Sequence, residues 1–177
     1  MMVPLELFCM STPRFELRPI TNSVHASTLV GWYSNPRISQ YLELRWHNHN
    51  VESVSGFIER HQSDYSCLVG IFDSEKLIGY YTLQWHPIHR VCDMGVLIGE
   101  VEYWRMGILS ETRPILIQCL FDHLNVFKIV GRTYSDNTPS VRAYERSGWV
   151  LEGRLVNQFL RGGKRVDELI YSFFKFD

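Results

Sequence analysis

The chain has no cysteine framework. Only Cys9, Cys67, Cys92 and Cys119 occur in 177 residues, and none stands in a CxxC spacing. That excludes a disulfide-dense scaffold or a thiolate zinc ribbon. Three of the four lie in apolar runs (CLVGIF, RVCDMGVLI, ILIQCLF), where cysteine acts as a small buried hydrophobe and stays reduced. Charge bias is missing too: 18 Lys plus Arg face 19 Asp plus Glu, for a net charge of -1. This argues against nucleic acid or an anionic membrane as partner. No apolar run approaches the ~18 residues of a membrane span. The opening MMVPLELFCMS carries Pro4 and Glu6 and no basic start, unlike a secretory signal. The expectation is a soluble, cytoplasmic protein. Repeats, low-complexity tracts and linker-like stretches are absent as well, so residues 1–177 are expected to form one domain, long enough to bury roughly 70% of its extended surface.

What is present is an ordinary globular composition, 45% hydrophobic and 21% charged, with 14% aromatics. The aromatics fit either a ring-rich core or an aromatic-lined pocket or interface. Arg14–Arg18 alternates polar and apolar residues and reads as a strand. Thr21–Ser34 has helical period and ends at Asn35-Pro36, because a residue before proline resists the helical region. A polar, His-rich connector follows over Glu43–Asn50, and Asn50 is placed to cap a helix over Val51–Gln62. Ser66–Phe72, Leu77–Trp85 and Val91–Ile98 read as strands, the first two joined by a turn at Asp73–Lys76. Ile108–Leu124 reads as a long amphipathic helix that Pro114 should kink or delay. Lys128–Thr133 is a β-branched strand. Pro139–Ser147 is a helix with Thr138 as N-cap and Gly148 beyond its end. Glu152–Leu160 and Val166–Phe174 form a hairpin across Arg161–Lys164. The expected fold is α/β (α+β): a mixed, mostly antiparallel seven-stranded sheet flanked by about four helices.

Two stretches carry chemistry. In Asp93–Leu109 (DMGVLIGEVEYWRMGIL) an apolar strand passes through an aromatic turn and a glycine into a long helix. Glycine there lets backbone N–H groups approach an anion, and the helix start adds its positive dipole end, which suits a pyrophosphate. An ordinary cap fits the same residues. In Asn137-Thr-Pro-Ser140-Val-Arg-Ala-Tyr144-Glu-Arg-Ser-Gly148-Trp149, Ser140, Tyr144 and Ser147 share a helical face. Asn137 and Ser140 also fit plain capping, and Tyr144 also fits a core tyrosine.

Together, in this order and with a strand between them, the two stretches resemble the GNAT superfamily of acetyl-CoA-dependent N-acetyltransferases. The resemblance runs from Phe15 to Phe174 and is nearest the ribosomal-protein-alanine and spermidine acetyltransferase branches. Asn137-x-x-Ser140-x-x-x-Tyr144-x-x-x-Gly148-Trp149, followed by Glu152-Gly153-Arg154, carries it most specifically. Gly95 with VLI, and Glu102-Tyr103-Trp104, resemble the strand and the approach to the phosphate loop. The resemblance implies a GNAT fold with acetyl-CoA as donor and no metal. Leu97, Ile98 and Gly99 would pair with the pantetheine arm. Amides around Arg105, Met106, Gly107, Ile108 and Leu109 would hold the pyrophosphate. Asn137 and Ser140 would contact the pantetheine, and Tyr144 would be the general acid for the departing thiolate. Asp93 and Glu100 are candidates for the base, directly or through water, and also fit solvated carboxylates.

The pattern departs from the family at Leu109, where Gly or Ala is expected, so its side chain should crowd the pyrophosphate. Arg105 is placed to compensate. The resemblance puts acceptor recognition on Trp32, Tyr33, the Arg45–His49 connector with Trp46 and His47, and Phe159–Arg165. The connector also fits an exposed loop anchored by Trp46. His47-x-His49 and His86-x-x-His89 have metal-like spacing but read better as loop histidines. The basic turn Arg161–Arg165 fits either an acidic substrate or a solvated hairpin. The expected reaction is acetyl transfer to a primary amine. A protein N-terminal α-amine leads, with a polyamine or an amino sugar, aminoglycosides included, next. The competing reading is a catalytically weak or inactive acyl-CoA-binding or interaction module. No nucleic-acid or membrane partner is expected, and a homodimer is compatible with the aromatic content.

Overall fold

The computed structural model describes residues 4–43, 47 and 49–175. Eight strands run β1 (Met10–Ser11), β2 (Glu16–Pro19), β3 (Ser66–Asp73), β4 (Lys76–His86), β5 (Val91–Ile98), β6 (Lys128–Tyr134), β7 (Val150–Arg161) and β8 (Lys164–Phe174). They form one sheet in the order β1-β2-β3-β4-β5-β6-β8-β7. Every pairing is antiparallel except β5 with β6, which is parallel. The helices are α1 (Ala26–Ser34), α2 (Pro36–Ser39), α3 (Val51–Arg60), α4 (Ile108–His123) and α5 (Thr138–Arg146).

The class expected from sequence stands, while the expected seven strands and about four helices become eight and five. The extra elements, two-residue β1 and one-turn α2, are too short to show a period. Asn35 ends α1 and starts α2: its side chain accepts from the Arg37 amide at 3.0 Å, with Pro36 at the first helical position. Asn50 caps α3 as expected, in a reciprocal capping box with Ser53.

Two other expectations are corrected. The N-cap of α5 is Asn137, not Thr138, with the Asn137 side chain accepting from the Ser140 amide at 3.4 Å. Helix α4 starts at Ile108 and runs through Pro114 without delay. Pro114 and Ser110 are both exposed, so water can take the Ser110 carbonyl that a proline cannot reach.

Two apolar clusters sandwich the sheet. Leu29 and Trp32 of α1 and Val54 and Ile58 of α3 pack on Leu68, Tyr80 and Leu97. On the other face, Leu116 and Leu120 of α4 and Tyr144 of α5 pack on Tyr81, Ile129 and Tyr171. Strand β3 is buried along its interior because both faces are covered. The β7–β8 hairpin turns on Gly162 and Gly163, both with positive φ (55° and 77°), as a two-residue turn requires.

Candidate active site

Among the described residues the sheet has one parallel seam, and it forks there. Strands β5 and β6 pair at Val91–Lys128, Cys92–Ile129 and Asp93–Val130. Beyond this point β5 continues along β4 to Ile98–Gly79, and β6 continues along β8 to Tyr134–Glu168. The two strands thus part from Met94 and Gly131 onward. A strand leaving its neighbour presents unpaired main-chain donors and acceptors, which an extended ligand can take up as a strand would.

The pleat decides which residues of β5 offer them. The Gly99 amide donates to the Ile78 carbonyl on β4 at 2.9 Å, while the Arg90 carbonyl accepts from the Phe127 amide on the β6 side at 2.7 Å. With period two, odd residues turn their main-chain groups to β4 and even ones toward the fork. Ile98 therefore faces the fork, with its carbonyl taken by the Trp104 indole N–H at 2.9 Å. Leu97 and Gly99 turn their main-chain groups to β4, whereas Met94 and Val96, not singled out in the sequence, turn theirs toward the fork.

Tyr144 stands over the fork. The ring stacks on Tyr171 at 4.8 Å and meets Trp149 edge-on at 5.0 Å. The hydroxyl lies where Gly131 has no side chain: a Cβ there would come within 2.4 Å of Tyr144 Oη. Gly131 is the first β6 residue past the seam, so the phenol sits at the apex of the opening. Burial raises the Tyr144 pKa, with Arg113 opposing and Tyr171 adding to the shift. The group is therefore a protonated donor at neutral pH. A lone glycine inside a β-branched strand was the signal that could have marked this close approach.

The start of α4 supplies the second feature. Gly107 has φ 76° and Arg105 φ 66°, and first-turn amides such as those of Ile108 and Leu109 have no intrahelical acceptor. Arg105, Met106 and Gly107 are exposed. Leu109 is only partly buried and packs against the core beneath α4. Arg14, overlooked in the sequence, donates to the Met106 carbonyl at 3.0 Å, and its guanidinium pairs with Glu111 at 2.6 Å. Glu111 also accepts from Thr12 Oγ1 at 2.6 Å. The Thr12 hydrogen bond, then Arg14, hold the Glu111 pKa below the usual carboxylate range. A depressed carboxyl stabilises the fold above its unfolded pKa and loses that contribution as pH falls through the folded value. Glu111→Gln should therefore narrow the gap in melting temperature between pH 7 and pH 4, and an unchanged gap would show that the tie is unimportant.

The two candidate bases part company. Glu100 accepts from the Trp32 indole at 2.8 Å and pairs with Lys76 at 2.8 Å, tying α1 to the sheet. Asp93 lies at the seam, with Arg132 at 3.8 Å and His86 at 3.6 Å. Arg132 also reaches Glu168 at 3.9 Å.

A groove of about 750 Å³ brings together Tyr33, Pro36, Gln40, His47, His49 and Arg161. Phe159 stacks on Tyr134 at the open end of β6 at 4.1 Å. Tyr134 meets Tyr41 at 5.8 Å, and Arg161 lies over the Tyr41 ring at 4.9 Å. Arg161, Tyr41 and Tyr134 thus link the groove lining to the end of β6. Trp32 is not part of it: the indole is buried under Gly99. Tyr33 reaches the groove, with its hydroxyl 2.6 Å from that of Tyr80 and its pKa pushed up to about 12 by burial. Trp46 lies outside the described residues. Ser140 starts α5 beside its cap and is half-buried. Among the described residues no three His, Cys, Asp or Glu side chains gather as a metal site, and no helix is long and apolar enough to cross a membrane.

The comparisons agree with this architecture. The N-acetyltransferase YoaA of Bacillus subtilis, itself uncharacterized, is 27% identical over 175 residues, covering 94% of this chain and 96% of its own. A ribosomal L7/L12 α-N-protein acetyltransferase, RimL, solved with coenzyme A, superposes with a TM-score of 0.82 at 18% identity over 98% of both chains. The spermidine N-acetyltransferase of Vibrio cholerae, solved with CoA and spermine, gives 0.79 at 22% identity over 91% of this chain and 95% of its own. At those identities the structural matches establish the fold. The model of the acetyltransferase (GNAT) domain matches residues 14–150, and with the forked sheet, the helix start beside it and the tyrosine at its apex in place, the chain belongs to the GNAT family of N-acetyltransferases.

Proposed function

We propose that residues 1–177 act as one catalytic domain that transfers an acetyl group from acetyl-CoA to a primary amine, the α-amine of a protein N-terminus leading. The observation that carries this reading is the Tyr144 hydroxyl over Gly131, at the point where β5 and β6 part. The fork residues Met94, Val96 and Ile98 hold the pantetheine arm, with Asn137 and Ser140 at the start of α5 beside it. The amides from Arg105 to Leu109 hold the pyrophosphate, aided by the positive end of α4. Packing of Leu109 against the core relieves the crowding its size would cause. The donor supplies an activated thioester. Tyr144 gives the departing sulfur its proton, and Asp93 takes the ammonium proton through water.

The groove favours a peptide over a polyamine. Its lining holds imidazoles, amide and hydroxyl groups and a guanidinium, with no carboxylate among the described lining residues. A polycation would want several. An amino sugar is the next alternative. The same reading carries a cytoplasmic setting, in keeping with four free cysteines, and a homodimer.

Thermal unfolding with and without acetyl-CoA, at fixed salt, is the first test. Ligand at about 100 times its dissociation constant adds roughly 2.7 kcal/mol, or roughly 5–10 °C for a domain of this size. A panel of N-terminal peptides, polyamines and aminoglycosides, read by thiol release, then assigns the acceptor. A thermal shift with no release for any amine would mean an acyl-CoA-binding module. No shift would mean an interaction module whose phosphate loop has lost its use.

A further inference from the structure

Arg113 turns from α4 into the core instead of toward solvent, and is 4% exposed. The guanidinium carbon lies 5.0 Å from the centre of the Tyr144 ring and 5.5 Å from that of Trp149. Among the described residues no carboxylate comes within ion-pair distance of it. Its Nε–H has no acceptor, and neither does the Trp149 indole N–H beside it. A guanidinium keeps its charge at any pH the protein meets, and burying it without a counter-ion is costly. Leu116, Ile117 and Leu120 fill the neighbouring core positions of the same helix. An apolar side chain at 113 would fit that face without the cost, so the charge has a use.

The groups around it show what the use is. Two phenols meet the guanidinium: the Tyr81 hydroxyl from β4 accepts a hydrogen bond from it, and the Tyr144 ring from α5 lies beneath it, with Tyr171 from β8 stacked on Tyr144. Tyr81 is held by Thr112 Oγ1 at 2.8 Å, and Tyr171 is stacked flat on Tyr144. Among the described residues, Arg113, Tyr171 and Tyr81 are the titratable groups that act on or with Tyr144, while β6 sets Gly131 against its hydroxyl. The Tyr144 hydroxyl lies over Gly131, at the apex of the fork.

We propose that Arg113 is a positioning residue for Tyr144, holding its ring and stabilising the phenolate left when the phenol gives up its proton. The inference rests on the acetyl-transfer reading. As the amine nitrogen forms its C–N bond, the C–S bond breaks and its electron pair leaves with sulfur. The Tyr144 proton passes to that sulfur, giving the free thiol and a phenolate that faces the guanidinium. The acetylated nitrogen gives its surplus proton to water, and a proton from solvent restores the phenol. Without the cation, a buried phenolate among apolar side chains would be strongly disfavoured. The direction of the Arg113 effect on Tyr144, opposite to that of burial, agrees with this.

The test compares wild type, Arg113→Met, Arg113→Gln and Arg113→Lys by two readouts. Kinetics with an accepted amine should show kcat at least tenfold lower in Arg113→Met, with its alkaline limb a pH unit or more higher, and Arg113→Lys should recover most of both. Phenol ionisation at 295 nm, taken as wild type minus Tyr144→Phe, should move up by a similar interval in the same Arg113→Met background. Arg113→Gln, polar but uncharged, serves if the methionine variant does not fold. An unmoved ionisation and an unmoved limb in either uncharged variant would overturn the inference, whatever the loss of stability. No turnover by wild type with any amine would sink the acetyl-transfer reading instead, while the 295 nm titration would still decide whether Arg113 tunes Tyr144.

Discussion

Tyr144→Phe should lower kcat about a hundredfold or more while leaving the acetyl-CoA thermal shift in place. General acid catalysis typically contributes between about a hundredfold and ten-thousandfold, and the substitution removes one oxygen. The ring contacts with Tyr171, Trp149 and Arg113 do not depend on that oxygen, so the fold should hold to within about 1 kcal/mol. The alkaline limb of kcat should vanish with the phenol. Turnover within threefold of wild type would show that the proton on the leaving sulfur comes from elsewhere, and Tyr144 would revert to a core aromatic.

The second large effect is on stability. Gly99→Ala would put a Cβ 1.9–2.4 Å from three ring atoms of Trp32, closer than any real contact allows. The indole cannot easily yield, because its N–H donates to Glu100 at 2.8 Å and its ring is stacked with Tyr80. Glu100 is held in turn by Lys76. Overpacking of this kind typically costs 1–3 kcal/mol, and here the upper end or beyond is expected. The melting temperature should fall by roughly 5 °C or more, with a change in tryptophan emission. Gly31→Ala, where a Cβ meets nothing within 4 Å in the middle of α1, should instead be neutral or stabilising by up to about 1 kcal/mol. Equal effects at the two glycines would refute the packing argument.

Much of the framework was open to reading along the chain, because local rules decided it. Helix α3 and its Asn50 cap follow from one capping residue and an amphipathic period. Strand β5 was legible to the residue, since Val91–Ile98 is an apolar run bounded by polar turns. The Gly162-Gly163 turn marked the last hairpin. Short elements were not legible, nor was the exact cap of α5, where Asn137 and Thr138 are both good N-caps and only the Asn137 geometry distinguishes them.

The site divides in the same way. Motif spacing marked Tyr144, Gly107 and Asn137, because each serves a local turn or helix start. What those residues face was set by partners far away in the chain. Glu100 looked like a free carboxylate until folding brought Trp32 against it, 68 residues distant. Leu97 and Gly99 turn to β4 and Val96 to the fork because pleat phase depends on the Ile78 carbonyl of another strand. Gly131 and Arg113 gained meaning only once α4, α5 and β6 converged on one phenol. The amino-acid sequence by itself determined the longer helices and strands, through short-range periodicity, capping and turn chemistry, and its motifs carried the resemblance to the family. The tertiary structure alone decided where the sheet parts, which carboxylates are neutralised and which hydroxyl stands at the opening, because contacts between distant segments have no signature in the spacing of either one.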